Sequence, residues 1–382
     1  MKINLISSAS TAALMGIAIA SSGAAFAQST DISNPSTLGG LVSSVTISGV
    51  ADAYVGSRQL AGGAKVNKVD SSGMSTSQIN IAGDKKFANG LKAEFALGMF
   101  YRIDDGGQGR FAGDTYFGRN AYVGVGNGYG TLRFGRQSTG NFTAMLRTNS
   151  FADSSAFGPV FLHNFVSAIA QGPQFLSPGA PPTSRSLTGV MGTTDSAWNN
   201  SLVYISPKIG DVTVQAQWAP SEAAAVGSRY GVSAVYANGP AIATLTSEQM
   251  GTGSVPASGP AAAAISKQST WQLSGAYAFG FGRVSAGYFN TKRNYAAVAN
   301  DTVTTFQVGA AIPVSAISNV LVQVAQSKQT PQLGVAVSRN TTSLGYTHTV
   351  LKDVDAYAVF MRDRLSNQSG GTTIGLGLRY RF

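Results

Sequence analysis

Of the residue types that do acid–base or nucleophilic work, the chain carries two histidines, His163 and His348, and no cysteine. A serine nucleophile needs a general base within hydrogen-bond reach. His163 stands beside Asn164 in a long irregular interval, and His348 alternates in step with Leu344, Tyr346 and Val350, a pattern that suits an interface. Neither is set up for catalysis, so an enzyme is not expected. No His, Asp and Glu cluster has metal-ligand spacing, and the glycines of FGRNAYVGVGNGYG are not followed by the helix of a phosphate-cradling loop. No cofactor is expected either.

What remains is charge. Lys92, Glu94 and Arg102 share one parity of LKAEFALGMFYR, while Arg133 and Arg136 in GTLRFGRQ are three residues apart and so point to opposite faces of a strand. One of those two is then a candidate for burial at a subunit contact. Cations on the wall of a narrow aqueous passage concentrate anions and repel cations. The 27 basic and 17 acidic residues give +10, which falls to +9 once Lys2 is removed with the leader described next. Nucleic acid is not an expected partner, because the chain reads as secreted and strand-alternating.

The elements that must hold these charges begin after a leader. MKINLISSASTAALMGIAIASSGAAFAQ opens on Lys2, runs apolar from Ala12 to Ala20 and closes on Ala25-Phe26-Ala27, the pattern of a secretory signal peptide over residues 1–27. Charged residues make up 12% of the chain, about half the usual share of a soluble domain. With no cysteine, no disulfide framework can offset a thin core. Beyond the leader there is no run of about 18 apolar residues, so a membrane could be crossed only with strands.

Alternation against turn signals predicts sixteen such strands. The first covers residues 44–57; the next three are STSQINIAGDKKF, LKAEFALGMFYR and YFGRNAYVGVG; GTLRFGRQ follows after an Asn127-Gly128 turn, where Asn-Gly supplies positive φ. Eleven more are expected near 199–208, 211–219, 228–237, 241–250, 269–279, 283–292, 302–314, 319–328, 338–350, 353–365 and 372–382. An even count and short turns alternating with longer Ser, Gly and Thr-rich loops fit an antiparallel membrane barrel. A soluble all-β chain of this length would split into domains at a linker, and no such break is visible. Aromatic residues recur near strand ends, including Tyr54, Tyr116, Trp218, Tyr277, Tyr357 and Tyr380, as a headgroup-level girdle would require. Cations at strand centres should point to water, since facing lipid at midplane costs about 2–4 kcal/mol.

The leader ending AFAQ, the opening VTISGVADAYV, the GLKAEF strand, the FGRNAYVGVG-NGYG-TLRFGRQ pair, NNSLVYISP and the terminal RYRF together resemble the Gram-negative general porins, in particular the beta-proteobacterial type. The resemblance covers essentially the whole chain. It implies an all-β fold, a 16-stranded antiparallel transmembrane β-barrel over residues 28–382, with a third loop folded inward over 138–197. It further implies a homotrimer in the cell outer membrane, set among outer-membrane lipid and lipopolysaccharide. The last strand, with Tyr380 and Phe382, is similar to the signal read by the barrel assembly machinery.

The function implied is passive diffusion of small hydrophilic solutes and inorganic anions through a water-filled channel. A substrate-specific channel for a small anionic or polar solute is the alternative. Family members line the wall opposite the loop with arginines; Arg119 and Arg136 match those positions, whereas Gln78 and Ala197 stand where two others are usual. The loop carries Arg147 and Arg185 against Asp153 and Asp195, a net charge of zero, and Phe157-Gly158-Pro159 in place of a Pro-Glu-Phe-Gly-Gly-like acidic element. A mild anion preference follows as the expectation.

Overall fold

The computed structural model describes residues 30–31, 44–110, 114–165, 196–222, 227–251, 265–295, 300–331, 336–366 and 368–382. The expected signal peptide, 1–27, and residues 166–195 of the long interval, with Arg185 and Asp195, lie outside the described residues.

Sixteen strands run up and down around a ring: β1 (Ser44–Arg58), β2 (Gln78–Lys86), β3 (Lys92–Phe100), β4 (Asn120–Asn127), β5 (Gly130–Ser138), β6 (Ala197–Ile205), β7 (Val212–Ala219), β8 (Arg229–Asn238), β9 (Ala241–Met250), β10 (Ile265–Phe279), β11 (Gly282–Tyr295), β12 (Asp301–Ser315), β13 (Ser318–Pro331), β14 (Val337–Leu351), β15 (Val354–Leu365) and β16 (Gly371–Arg381). Each pairs antiparallel with its sequence neighbours, and β16 pairs with β1 from Ile374↔Ser57 to Arg381↔Val50, so the sheet closes on itself. A short strand, Val66–Ser71, extends the sheet beside the far half of β1.

The alternation in the sequence decides which face goes where. On β16, Leu376 and Leu378 are 57% and 58% exposed, while Thr373 between the same neighbours is fully buried. On β10 Lys267, Trp271, Leu273, Tyr277 and Phe279 are exposed, and Gln268, Thr270, Gln272, Ser274 and Ala276 are buried. A closed ring has an outside and an inside, so the apolar parity faces out and the polar parity faces in. In water this exterior would be a continuous apolar patch far beyond what a monomer tolerates; in hydrocarbon it is the required surface, since a closed sheet pairs its backbone groups strand to strand. No helix among the described residues is long and apolar enough to cross a membrane; the strands do so.

Turn chemistry explains the tight edge. Between β4 and β5, the Asn127 side-chain oxygen accepts from the Tyr129 N–H at 2.8 Å, an Asx turn. The positive φ expected of Gly128 falls instead on Gly130, at 132°. The opposite edge carries the longer connections. The longest holds two short helices, α1 (Gly140–Arg147) and α2 (Pro159–Asn164). Thr139 caps α1 by accepting from the Phe142 N–H at 3.2 Å, and Pro159 starts α2 at a position where a missing N–H costs nothing.

Two sequence expectations are corrected here. Tyr54 and Tyr357 do not join an outer girdle: both have inward parity and are buried, Tyr54 with its ring edge-on to Phe157 at 4.9 Å. The parity of the strand overrides the ring's preference for an interface, because the long loop supplies an apolar partner on the inner side. Strand β3 also ends at Phe100, so Arg102 does not continue its polar face. Arg102 lies in a turn, where its Nε donates to both carboxylate oxygens of Asp105 at 3.0 and 2.9 Å and its Nη1 to the Gln108 carbonyl at 2.9 Å.

Candidate functional site, the polar face and its long loop

The described part of the long interval, 139–165, lies against the polar face of the wall. At its start, the Glu248 carboxylate on β9 accepts from the Asn141 N–H at 2.7 Å. Farther round, Gln307 on β12 donates to the Thr148 carbonyl at 2.8 Å, and Ser343 on β14 donates to the Phe157 carbonyl at 2.6 Å. His163 in α2 is bonded through Nδ1 to Ser327 Oγ at 2.7 Å and through Nε2 to Thr341 Oγ1 at 2.8 Å. Burial and the nearby Arg339 hold its pKa well below the usual imidazole range, with Asp363 opposing.

Apolar contacts complete the attachment. Phe142, Met145, Val160, Phe161 and Phe165 cluster with Phe289 of β11 and Met361 of β15, and Phe151 and Phe157 pack with Tyr54, Tyr357 and Val359. A polar wall holds few apolar side chains, and the loop is seated where they occur.

The loop's third anchor is indirect. Asp52 on β1 accepts from the N–H groups of Gly73, Met74 and Ser75 at 2.9, 3.0 and 2.8 Å and from the Tyr357 hydroxyl at 2.6 Å. That fixes the chain returning from the first loop, and the Thr76 N–H then reaches Asp153 Oδ2 at 3.2 Å, while Ser154 Oγ bonds the Gly73 carbonyl. Arg119 is the cation facing Asp153: burial pushes the Asp153 carboxyl up and the Arg119 guanidinium down, and each charge partly restores the other.

The other charged residues sort by partner. On β3, Glu94 sits between two cations, with Lys92 Nζ at 2.9 Å and Arg133 Nε of β5 at 2.6 Å. Arg133 also lies over the Tyr122 ring, 4.6 Å from its centre. Arg136 takes the opposite parity, as its spacing predicts. A register shift between Gly135 and Gln137 lets its guanidinium donate to the Gly118 carbonyl at 2.8 and 2.7 Å and to Asn199 Oδ1 at 2.6 Å. Gln78 is buried at the start of β2, opposite Val50 and Phe100.

Arg147, at the last turn of α1, offers its carbonyl to Arg283 Nη2. Among the described residues neither arginine has a carboxylate partner, and burial alone lowers the Arg147 pKa. The bond ties a wall cation to the loop's main chain. The sequence reading singled out Arg147 but missed Arg283, Asp52 and Glu248. Parity places all three on the polar face, yet their partners lie on a loop more than twenty residues away. At the tight-seam end, Phe382 and Gly49 exchange main-chain hydrogen bonds, and Tyr380 stays exposed beside the Phe382 ring at 5.7 Å.

Set beside known proteins, this architecture has close counterparts. A family profile described as Gram-negative porin matches residues 9–368. Outer membrane porin protein 32 of Delftia acidovorans is 26% identical over 365 residues, covering 92% of this chain and 89% of that protein. The solved structure of an anion-selective porin from Comamonas acidovorans superposes with a TM-score of 0.71 at 22% identity, over 89% of this chain and 99% of that one. OmpT of Vibrio cholerae, solved in a trimer form, gives a TM-score of 0.61 at 13% identity over 89% of this chain and 99% of that one. With a closed ring of sixteen strands, an apolar exterior, a polar interior and a family match that spans nearly its whole length, the chain belongs to the Gram-negative porins, channels of the outer membrane.

Proposed function

We propose that the chain forms a water-filled pore through which small hydrophilic solutes and inorganic ions diffuse passively, with a mild preference for anions. The observation that carries the preference is Arg283 on the polar face and Arg147 on the attached loop, neither with a carboxylate partner among the described residues; the Arg283 guanidinium donates to the main-chain carbonyl of Arg147. In a narrow lumen with low-dielectric walls, unbalanced positive charge raises the local anion concentration. The Lys92–Glu94–Arg133 group adds two cations to one acid on the same face. The segment attached between β9 and β15 takes up part of the cross-section and sets the size limit. No energy source is needed, because each solute moves down its own gradient.

The Delftia relative is an outer-membrane porin and the Comamonas structure an anion-selective one, and both names favour this reading. The trimer form of OmpT favours a homotrimer here as well. Reversal potentials across a planar bilayer in asymmetric potassium chloride test it: a chloride-selective sign is expected, moving toward zero in R147Q/R283Q, and a cation-selective sign overturns it. The same arginine pair favours a second reading, a substrate-specific channel for a small anion. Block of the current by a millimolar carboxylate or phosphate solute would choose that reading, and an unblocked ohmic current would choose general diffusion.

A further inference from the structure

Arg136 shares the parity of Leu132 and Phe134, which are exposed on the outer face of β5, yet it is buried. A β-bulge accounts for this. Between the pairs Gly135↔Ser201 and Gln137↔Trp198, Arg136 stands against two residues of β6, Asn199 and Asn200, and Asn200 takes φ 54°. A bulge bends its strand and re-aims the side chains beside it. Here the Arg136 Nε and Nη2 donate to one acceptor, the Gly118 carbonyl, at 2.8 and 2.7 Å, while Nη1 donates to Asn199 Oδ1 at 2.6 Å and to the Ala197 carbonyl at 3.3 Å. Gly118 leads into β4 and Asn199 belongs to β6, so the fork ties together the two neighbours of β5. A lysine ammonium, a compact charge on a flexible stem, lacks that planar geometry.

What the fork holds is the residue before Arg119. The Arg119 N–H donates to the Gly98 carbonyl of β3 at 3.1 Å, so its main chain is gripped by β3 on one side and by Arg136 on the other. The surroundings leave little play: a Cβ at Gly118 would fall 3.0 Å from the Thr115 carbonyl and 3.2 Å from the Phe100 ring, and one at Gly98 would fall 3.1 Å from Arg119 Cβ. The side chain held in this way faces Asp153 of the long loop, itself tied to the Thr76 N–H at 3.2 Å. Among the described residues the Arg119 guanidinium forms no hydrogen bond or ion pair. The two arginines of FGRNAYVG and FGRQ therefore differ in kind. Arg136 has its donors on main chain and amide oxygens, whereas those of Arg119 are left for solutes.

We propose that Arg136 is a positioning residue for ion selection: it contacts no solute, and it contributes to the anion preference by holding Gly118 so that Arg119 faces Asp153. The proposal rests on the channel reading given above and adds a selecting cation, with its support, to that channel.

The test is the reversal potential of the full mature protein in a planar bilayer under a potassium chloride gradient, with the dilute side at about 0.1 M, where charge acts over about 10 Å. R119Q should lower the chloride-to-potassium permeability ratio. R136K keeps the charge and loses the fork, so it should lower the ratio by nearly the same factor, and R119Q/R136K should lower it no further than R119Q alone. N199A removes one acceptor and leaves both arginines, and should give a smaller fall that R119Q again absorbs. A wild-type ratio in R136K beside a reduced one in R136Q overturns the proposal, because charge alone would then be acting. So does a wild-type ratio in R119Q, or a fall in R119Q/R136K equal to the product of the two single falls. Should R136K lack the circular dichroism of the barrel, N199A decides, and a wild-type ratio there overturns the proposal. A wild type selective for potassium would instead defeat the anion reading and leave this test intact, since R136K and R119Q would still shift the potential together.

Discussion

Phe382 and Gly49 are locked to each other across the seam: the Gly49 N–H donates to the Phe382 carbonyl at 2.8 Å, and the Phe382 N–H returns to the Gly49 carbonyl at 3.1 Å. A Cβ at position 49 would fall 2.4 Å from the Phe382 ring and 2.6 Å from the Gln78 carbonyl. The ring could swing aside, but the backbone oxygen could not. G49A is therefore expected to lose about 1–3 kcal/mol of stability, the usual range for overpacking. F382A should lose ring packing while keeping the main-chain bonds. Midpoints of guanidinium unfolding in detergent measure both, and an unchanged midpoint for G49A would contradict the close approach.

A buried ion pair joins the far ends of β14 and β15. Arg339 donates to the two carboxylate oxygens of Asp363 at 3.0 Å each, Thr341 adds a bond at 2.6 Å, and the Ala61 N–H one at 3.0 Å. Removing one member strands the other charge, so D363N should cost about 3–5 kcal/mol. Replacing both by apolar residues of similar volume should cost much less. Thermal unfolding of the single and double variants distinguishes these outcomes.

His163 makes attachment of the long loop sensitive to acid. With its folded pKa well below 6.5, the imidazole is neutral while docked between Ser327 and Thr341, near Arg339 and Asp363. The detached loop would take up a proton below about pH 6.5, so its attachment weakens as pH falls from there toward the lowered folded value. Asp153 acts oppositely: its raised folded pKa favours the docked state at low pH, and that contribution is lost as pH rises through the folded value. Hydrogen exchange over residues 139–165 should speed up relative to the strands between about pH 7 and 5. H163Q should remove that dependence.

Glu94 partly cancels the charge of Lys92 and Arg133. E94Q leaves both cations unopposed and should shift reversal potentials toward stronger anion selectivity; R133Q should shift them the other way. Identical potentials for the two variants would mean that this cluster lies off the ion path.

The wall was legible because one rule, side chains alternating every two residues, fixes both strand identity and facing. Leu344, Tyr346 and His348 followed from it, and so did the opposed directions of Arg133 and Arg136. The rule fails where the chain stops alternating. Nothing in the parity of β1 tells that Asp52 will gather three N–H groups from a returning loop, or that Tyr54 will meet Phe157 from the long loop. Arg102 looked like a strand residue because its parity was right, and only the Asp105 turn removed it. Arg283 is visible as an inward cation, but its neighbour Arg147 comes from a helix capped by Thr139 and aimed by Glu248, a tertiary arrangement.

The pairing of Val50–Ser57 with Ile374–Arg381 joins stretches more than three hundred positions apart. Neither stretch can find its partner until both have been made, and contacts this remote form slowly because so much chain must first be gathered. Throughout that delay two raw edges would invite pairing with other copies in the aqueous space before the membrane. Closing the seam removes both edges at once, so the same contact that completes the ring also ends its exposure to stray pairing.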